Sequence, residues 1–190
     1  MYKIVLASGS PRRQELLHRI GIDDFTVRVP QIDESYPDTL CPQEIVSYIS
    51  LQKSLAVPSD DEELVITADT MVFLDEQRLG KPCDEADALR MLTALAGRRH
   101  TVCTGVTVRQ GARHITRSQA TDVYFRAATT DELKAYIRSG EPMDKAGSYG
   151  VQGQGALLVE RIDGDFFNVM GLPVLLLSRM LHEFGMNLLA

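Results

Sequence analysis

Hydrophobic and polar positions along the chain switch repeatedly between a strand-like and a helix-like period. Lys3-Ile-Val-Leu-Ala7 is a short apolar run that reads as a buried strand, and Ser8-Gly9-Ser10-Pro11 breaks it. Ser10 has the residue type of a helix N-cap and Pro11 suits the first helical position. Leu16, Leu17 and Ile20 then share one helical face, and Gly21 closes the helix as a C′ glycine. Phe25–Val29 alternates like a half-exposed strand. Pro42 opens a second helix with Ile45, Val46, Ile49 and Ala56 on a common face; Pro58 and the acidic run Asp60–Glu63 end it. Leu64–Leu74 is the most strand-like segment of all.

The alternation continues. Asp84 can cap a helix running through Leu89, Met91, Leu92 and Leu95 to a stop at Gly97. His100–Arg109 and Arg113–Arg126 read as two strands joined by a turn at Gln110-Gly111. Thr129-Thr-Asp-Glu132 fits a capping box before a helix that ends at Gly140. A stretch with glycines at 147, 150, 153 and 155 follows. Ala156–Ile162 and Phe166–Met170 predict a hairpin around Asp163-Gly164-Asp165, and Pro173 starts a last amphipathic helix with Gly185 near its end. Interleaved helices and strands with hairpins among them imply an α/β or α+β fold around a central mixed sheet. No linker rich in Gly, Ser or Pro forces a second independent domain, so residues 1–190 are expected to form a single one.

Composition narrows the function classes. With 190 residues and 44% hydrophobic content, the chain can bury a real core and is too apolar for a disordered one. No apolar run nears the roughly 18 residues needed to cross a bilayer, and the longest, Leu172–Leu177, contains a proline. The N-terminus lacks the long apolar centre of a signal peptide, so a soluble cytoplasmic protein is the expectation. A net charge of −6, from 26 acidic and 20 basic residues, disfavours broad binding to nucleic acid or a membrane surface. It leaves room for a local basic pocket that holds a small anion. Cys41, Cys83 and Cys103 are widely spaced and form no CxxC or Cys/His cluster, so neither a disulfide framework nor a structural zinc site is indicated.

Two places stand out chemically. In Ser8-Gly-Ser-Pro-Arg-Arg13 a strand runs into a turn and a helix N-terminus, whose N–H groups and dipole favour an anion. Arg12 and Arg13 oppose that dipole, a conflict that a phosphate between them would relieve. The bland alternative is a solvated pair. Asp69 lies in or at the end of a buried strand, where a carboxylate is costly unless paired, hydrogen-bonded or metal-bound. A structural and a catalytic aspartate are equally compatible with that position. Asp33-Glu34 could help hold a metal, but most acidic loop pairs are simply solvated. Lys53 and Lys81 could reach phosphates, yet each taken alone reads as an unpaired surface lysine. The glycines around Gln152 either let backbone approach a ligand or build a tight surface loop. The four histidines support no catalytic or metal arrangement.

Taken in order, these segments resemble the Maf family of nucleoside triphosphate pyrophosphatases. The resemblance rests on Leu6-Ala-Ser-Gly-Ser-Pro-Arg-Arg13, Asp33-Glu34, Gln52-Lys53, Ala68-Asp-Thr70, Gly80-Lys-Pro82, Asp144–Gly153 and Gly171-Leu-Pro173, which span nearly the whole chain. It implies a curved mixed sheet flanked by helices, in two lobes with the nucleotide in the cleft between them, similar in architecture to inosine triphosphatases. It also implies hydrolysis of a nucleoside triphosphate to monophosphate and pyrophosphate. Asp69 matches the general base; Ser8, Arg12, Arg13, Lys53 and Lys81 match phosphate-side positions; Glu34 matches a second acidic position. A divalent cation, Mg²⁺ or Mn²⁺, is expected with Glu34 and Asp69 as candidate ligands. Arg12, Thr70 and Gln152 match the branch that resembles dTTP/UTP pyrophosphatases. The expected partner is a nucleoside triphosphate, without nucleic acid or membrane, and the family admits a homodimer.

Two rival readings remain at this level. Leu6-Ala-Ser-Gly before two arginines is loosely similar to the start of sugar-nucleotide synthases, which would need a fuller glycine loop and a sugar phosphate. The other rival is a non-enzymatic, nucleotide-binding regulator of cell division, which an Asp69→Asn variant with intact cellular effects would favour.

Overall fold

The computed structural model describes residues 2–189. The chain divides into two compact units. One comprises Met1–Asp69, Thr104–Gln119 and Gly171–Ala190, and the other Thr70–Cys103 and Ala120–Met170.

In the first unit β1 (Lys3–Leu6) leads into α1 (Pro11–Arg19), β2 (Phe25–Val27), α2 (Pro42–Leu55) and the start of β3 (Glu63–Leu74). β1 pairs in parallel with β2 on one side and with β3 on the other, Leu6 lying opposite Val27 and Ile66. The chain therefore steps from β1 outward to β2 and then returns across β1 to β3. Such a reversal is the switch point of an open parallel sheet, where a crevice forms beyond the carboxyl ends of the strands. Ser8–Arg13 follows the carboxyl end of β1, and Asp69 lies within β3, three residues past Ile66, where its pairing with β1 stops.

Local chemistry explains the elements. α1 stops where Gly21 adopts φ +80°, with its N–H on the His18 carbonyl and the Ile22 N–H on Leu17, each at 3.0 Å. This is the Schellman arrangement that a C′ glycine permits. Leu16 and Leu17, fully buried, fix the inner face of α1, each side chain contributing about 1.5–3 kcal/mol by leaving water. Against α2, Gly105 leaves room that a side chain would take: a Cβ there would press into the Val46 carbonyl.

The second unit carries the far part of β3, β4 (Gln77–Leu79), α3 (Glu85–Leu95), α4 (Thr130–Ile137), β7 (Val159–Asp163) and α5 (Phe166–Met170). β5 (Arg99–Gln110) and β6 (Arg113–Phe125) run through both units, and α6 (Val174–Glu183) returns to the first. The seven-stranded sheet has the order β2-β1-β3-β5-β6-β7, with β4 pairing with β3. The expected mixed sheet is therefore present. Asp84 caps α3 by accepting the Asp87 N–H at 2.7 Å, and Thr129 with Glu132 forms the capping box of α4.

One expected element differs. Phe166–Met170 is a short helix, not the second arm of a hairpin, and β7 pairs antiparallel with β6 instead. A five-residue, largely apolar segment is ambiguous by periodicity alone. Here Asp165 decides it, because its Oδ1 accepts the N–H groups of Phe167 (2.8 Å) and Asn168 (3.3 Å) and so starts a helical turn. Asn168 then anchors that turn by donating to the Val102 carbonyl at 2.9 Å.

Candidate active site

The first unit gathers six of the sequence-derived candidates. α2 and β3 supply two of them through simple register. Thr67 Oγ1 donates to the Ser50 carbonyl at 2.8 Å, so Thr67 faces α2. Two residues further along the strand Asp69 faces the same way, and one helical turn beyond Ser50 stands Lys53. The lysine ammonium accordingly lies 2.7 Å from Asp69 Oδ1 and 2.8 Å from Glu34 Oε1. The Lys53 side chain is only 13% exposed and that of Asp69 only 9%, whereas Glu34 is 59% exposed. Lys53 is thus no unpaired surface lysine. Asp33 bends the loop at Glu34, its carboxylate taking the Ser35 N–H at 3.1 Å.

α1 supplies the rest. Ser10 occupies the N-cap position without a side-chain cap bond; its N–H instead points to Ser8 Oγ at 3.2 Å. Ser8, buried, also receives Arg13 Nη1 at 3.1 Å, while Arg13 Nε donates to the Gly171 carbonyl at 2.8 Å. Part of the conflict between these arginines and the helix dipole is resolved internally, because Arg13 turns its charge onto fixed oxygens. Burial pushes the Arg13 guanidinium below its ordinary value, with Arg12 adding repulsion, and the carboxylates of Asp69 and Glu34 act in the opposite direction. Arg12, Arg13, Lys53, Glu34 and Asp69 therefore share one electrostatic neighbourhood with a positive charge in excess. A helix N-terminus within it adds further attraction for an anion.

Two carboxylates converging on one ammonium do not form an all-protein metal cage. Among the described residues no group of three or more His, Cys, Asp or Glu side chains is placed to hold an ion. The donor set does fit Mg²⁺ or Mn²⁺, hard cations that are commonly taken by one or two carboxylates together with substrate phosphates.

Arg109 belongs to this arrangement and had no signal in the sequence. Its buried guanidinium donates to the carbonyls of Ser54 (2.9 Å) and Val57 (2.7 Å), satisfying the C-terminal end of the helix that carries Lys53. Burial lowers the Arg109 pKa from its ordinary value.

The second unit holds the remaining candidates. Thr70 is half-buried on β3, Lys81 is exposed in the turn after β4, and Gln152 is exposed within the glycine-rich segment. That segment is pinned from below by residues the sequence reading did not single out. Glu141 accepts the N–H groups of Gln154 (2.8 Å) and Gly155 (3.1 Å) and the Tyr136 hydroxyl (2.9 Å), and Tyr136 Oη in turn accepts the Gly150 N–H at 3.1 Å. No helix among the described residues is long and apolar enough to cross a membrane.

Solved structures share the fold. A HAM1 protein of Coxiella burnetii superposes with a TM-score of 0.53 at 13% identity, covering 96% of this chain and 100% of that one. The Staphylococcus aureus Ham1 protein gives 0.50 at 15% identity over 95% and 98%. Sequence relatives are much nearer. A dTTP/UTP pyrophosphatase of Moorella thermoacetica is 48% identical over 98% of this chain and 97% of its own length. Relatives of the same name from Bacillus cereus and Bacteroides fragilis are 43% and 48% identical, covering 98% and 96% of this chain and of themselves. The family described as Maf-like protein matches residues 3–184, and with relatives this similar over nearly the full length, the chain belongs to that family.

Proposed function

We propose that this protein hydrolyses dTTP and UTP to the nucleoside monophosphate and pyrophosphate. One observation carries the reading: Lys53 is held between Asp69 and Glu34, where β3 runs past its pairing with β1, in the electrostatic neighbourhood of Arg13 and the α1 N-terminus. Cations there hold the triphosphate and a carboxylate stands among them. The names borne by the relatives supply the substrate class.

In the proposed reaction Asp69 accepts a proton from a water whose oxygen bonds to the α-phosphorus. The bond from that phosphorus to the bridging oxygen breaks, and pyrophosphate leaves with the bonding electrons. Arg13 and Lys53, fixed by their internal partners, stabilise the charge that grows on the phosphate oxygens. Arg12 and Ser8 contribute to the same phosphate side, and Lys81 is a further candidate to hold phosphate. Glu34 and Asp69 are the carboxylates that would hold Mg²⁺ or Mn²⁺, whose chemistry when bound is to neutralise phosphate charge.

For base choice, Gln152 offers an amide donor and acceptor that match the imide edge of uracil or thymine, with Thr70 a second specificity position. Cytosine presents an amino group and a bare ring nitrogen at that edge, which leaves polar groups unpaired and is strongly disfavoured. The test is a panel of nucleoside triphosphates with Mg²⁺ or Mn²⁺, scored for pyrophosphate and monophosphate. UTP and dTTP turn over much faster than CTP or GTP if the reading is right. Equal efficiency with CTP or GTP refutes the base assignment, and release of inorganic phosphate with a diphosphate product refutes the reaction.

A further inference from the structure

The glycines at 150, 153 and 155 invite the reading that backbone there must approach a ligand. The structure gives them a different reason. A Cβ at Gly153 would collide with Glu141 Oε2, one at Gly150 would lie 2.6 Å from Lys145 Cε, and one at Gly155 would collide with the Gly150 carbonyl and lie 2.6 Å from Tyr136 Oη. The glycines let the segment fold back on itself and close onto a side-chain clamp.

The clamp has two members. Glu141 takes the N–H groups of Gln154 and Gly155 at the far end of the segment, and Tyr136 takes that of Gly150 at the near end. The two side chains are joined by the Tyr136 hydroxyl on Glu141 Oε1 at 2.9 Å. Both ends of Gly150–Gly155 are thus tied to one linked pair, and exposed Gln152 stands at the middle of the span. The clamp is itself fixed. Tyr136 is buried on α4, and the backbone carbonyl of Glu141 receives Lys145 Nζ at 2.6 Å. Burial works against the charged form of Glu141, yet the two backbone N–H bonds, the Tyr136 hydroxyl and Lys145 together hold its pKa below the usual carboxylate range.

We infer that Glu141 is a positioning residue for base discrimination: through Tyr136 and the backbone N–H groups of 150, 154 and 155 it sets the conformation in which Gln152 meets the pyrimidine edge. The inference rests on the base-reading role given above to Gln152. A carboxylate is required because both of its oxygens accept. The amide of Glu141→Gln would turn an NH₂ toward a backbone N–H or the tyrosine hydroxyl, so the loop would lose at least one tie while the side chain keeps its size.

The experiment compares wild type, Glu141→Gln, Tyr136→Phe, Gln152→Ala and the Glu141→Gln/Gln152→Ala double variant. It measures kcat and KM with UTP and CTP, and the hydrogen exchange of the Gln154 and Gly155 amides. Glu141→Gln is expected to lower the UTP-to-CTP ratio of kcat/KM about tenfold and to expose at least one of the two amides, and Tyr136→Phe does so more weakly. kcat with saturating UTP stays within about threefold of wild type, because the phosphate-side residues are untouched. The double variant discriminates no worse than Gln152→Ala, since both changes act on one determinant. If Glu141→Gln frees the amides but leaves the ratio unchanged while Gln152→Ala alters it, the inference is overturned and the base reading stands. If Gln152→Ala leaves the ratio unchanged, the base reading fails and the positioning role falls with it.

Discussion

Asp69→Asn separates the catalytic from the structural account of this aspartate. The substitution keeps the shape of the side chain and removes its charge, so its cost depends on what the neighbours retain. Lys53 keeps Glu34 at 2.8 Å, and Arg13 keeps Ser8 Oγ and the Gly171 carbonyl at 3.1 and 2.8 Å. Removing one partner of a fully buried pair costs about 3–5 kcal/mol when the other charge is stranded. Here neither cation is stranded, so the loss is nearer that of one charge-assisted hydrogen bond, about 1.5–3 kcal/mol. For a chain of this size that lowers the melting temperature by roughly 3–12 °C and leaves the protein folded at 25 °C. The effect on chemistry is far larger. Loss of a general base lowers kcat by about 10²–10⁴, or roughly 3–5 kcal/mol of barrier. The assay is pyrophosphate release from UTP at saturating substrate and metal, preceded by a thermal melt of each preparation. A variant that melts normally yet keeps more than a third of wild-type kcat refutes the general-base assignment. A variant unfolded at the assay temperature refutes the estimate of its stability.

Two further outcomes follow from packing and burial. Gly105→Ala drives a methyl group into the Val46 carbonyl, so it displaces α2 and is expected to cost about 1–3 kcal/mol or more in a denaturant melt, with Lys53-dependent activity falling too. His100 is buried against Phe125 and Tyr149, which pushes its pKa down to about 4 from 6.5. The unfolded chain therefore binds a proton that the folded one refuses, so stability falls as pH drops from 6.5 toward 4. His100→Phe should flatten that part of the stability profile measured by denaturant melts, and an unchanged slope would exclude His100 as its source.

Much of this was legible in the residues, for identifiable reasons. Strand, turn and helix signals at Lys3–Gly21 are local, so Ser10, Pro11 and Gly21 mark the boundaries of α1 almost to the residue. Local signals also mislead where they are balanced. Phe166–Met170 is apolar enough for either element, and only the hydrogen bonds of Asp165 settle it. The site was legible as a set of residue types but not as pairings. Arg13 closes on Gly171 across 158 positions, and Arg109 caps α2 from 52 and 55 positions away. No periodicity encodes those distances. Lys53 reads in isolation as a solvated lysine; only the register of α2 against β3 turns it onto Asp69. Glu141 was hidden for the same reason, its partners being two backbone N–H groups and a tyrosine hydroxyl that no spacing in the sequence marks.

The internal pairings bear on how such a site would work. An arginine or lysine held loosely in solvent loses about 0.5–1.5 kcal/mol of side-chain freedom when it grips a phosphate. Arg13 and Lys53 have already lost that freedom on folding, to Ser8, Gly171, Asp69 and Glu34. The ordering is therefore charged to the stability of the fold and not to the binding of nucleotide. It also places cations and a carboxylate in fixed relation before substrate arrives, the condition under which oriented dipoles lower a barrier without reorganising. The same logic extends to the glycine-rich segment, where Glu141 and Tyr136 take up the backbone N–H groups of an otherwise pliable stretch. In both units the groups proposed to meet the nucleotide are tied down by partners distant in sequence. Loosening the tie at Glu141 should thus weaken recognition even though Glu141 leaves the reacting atoms untouched.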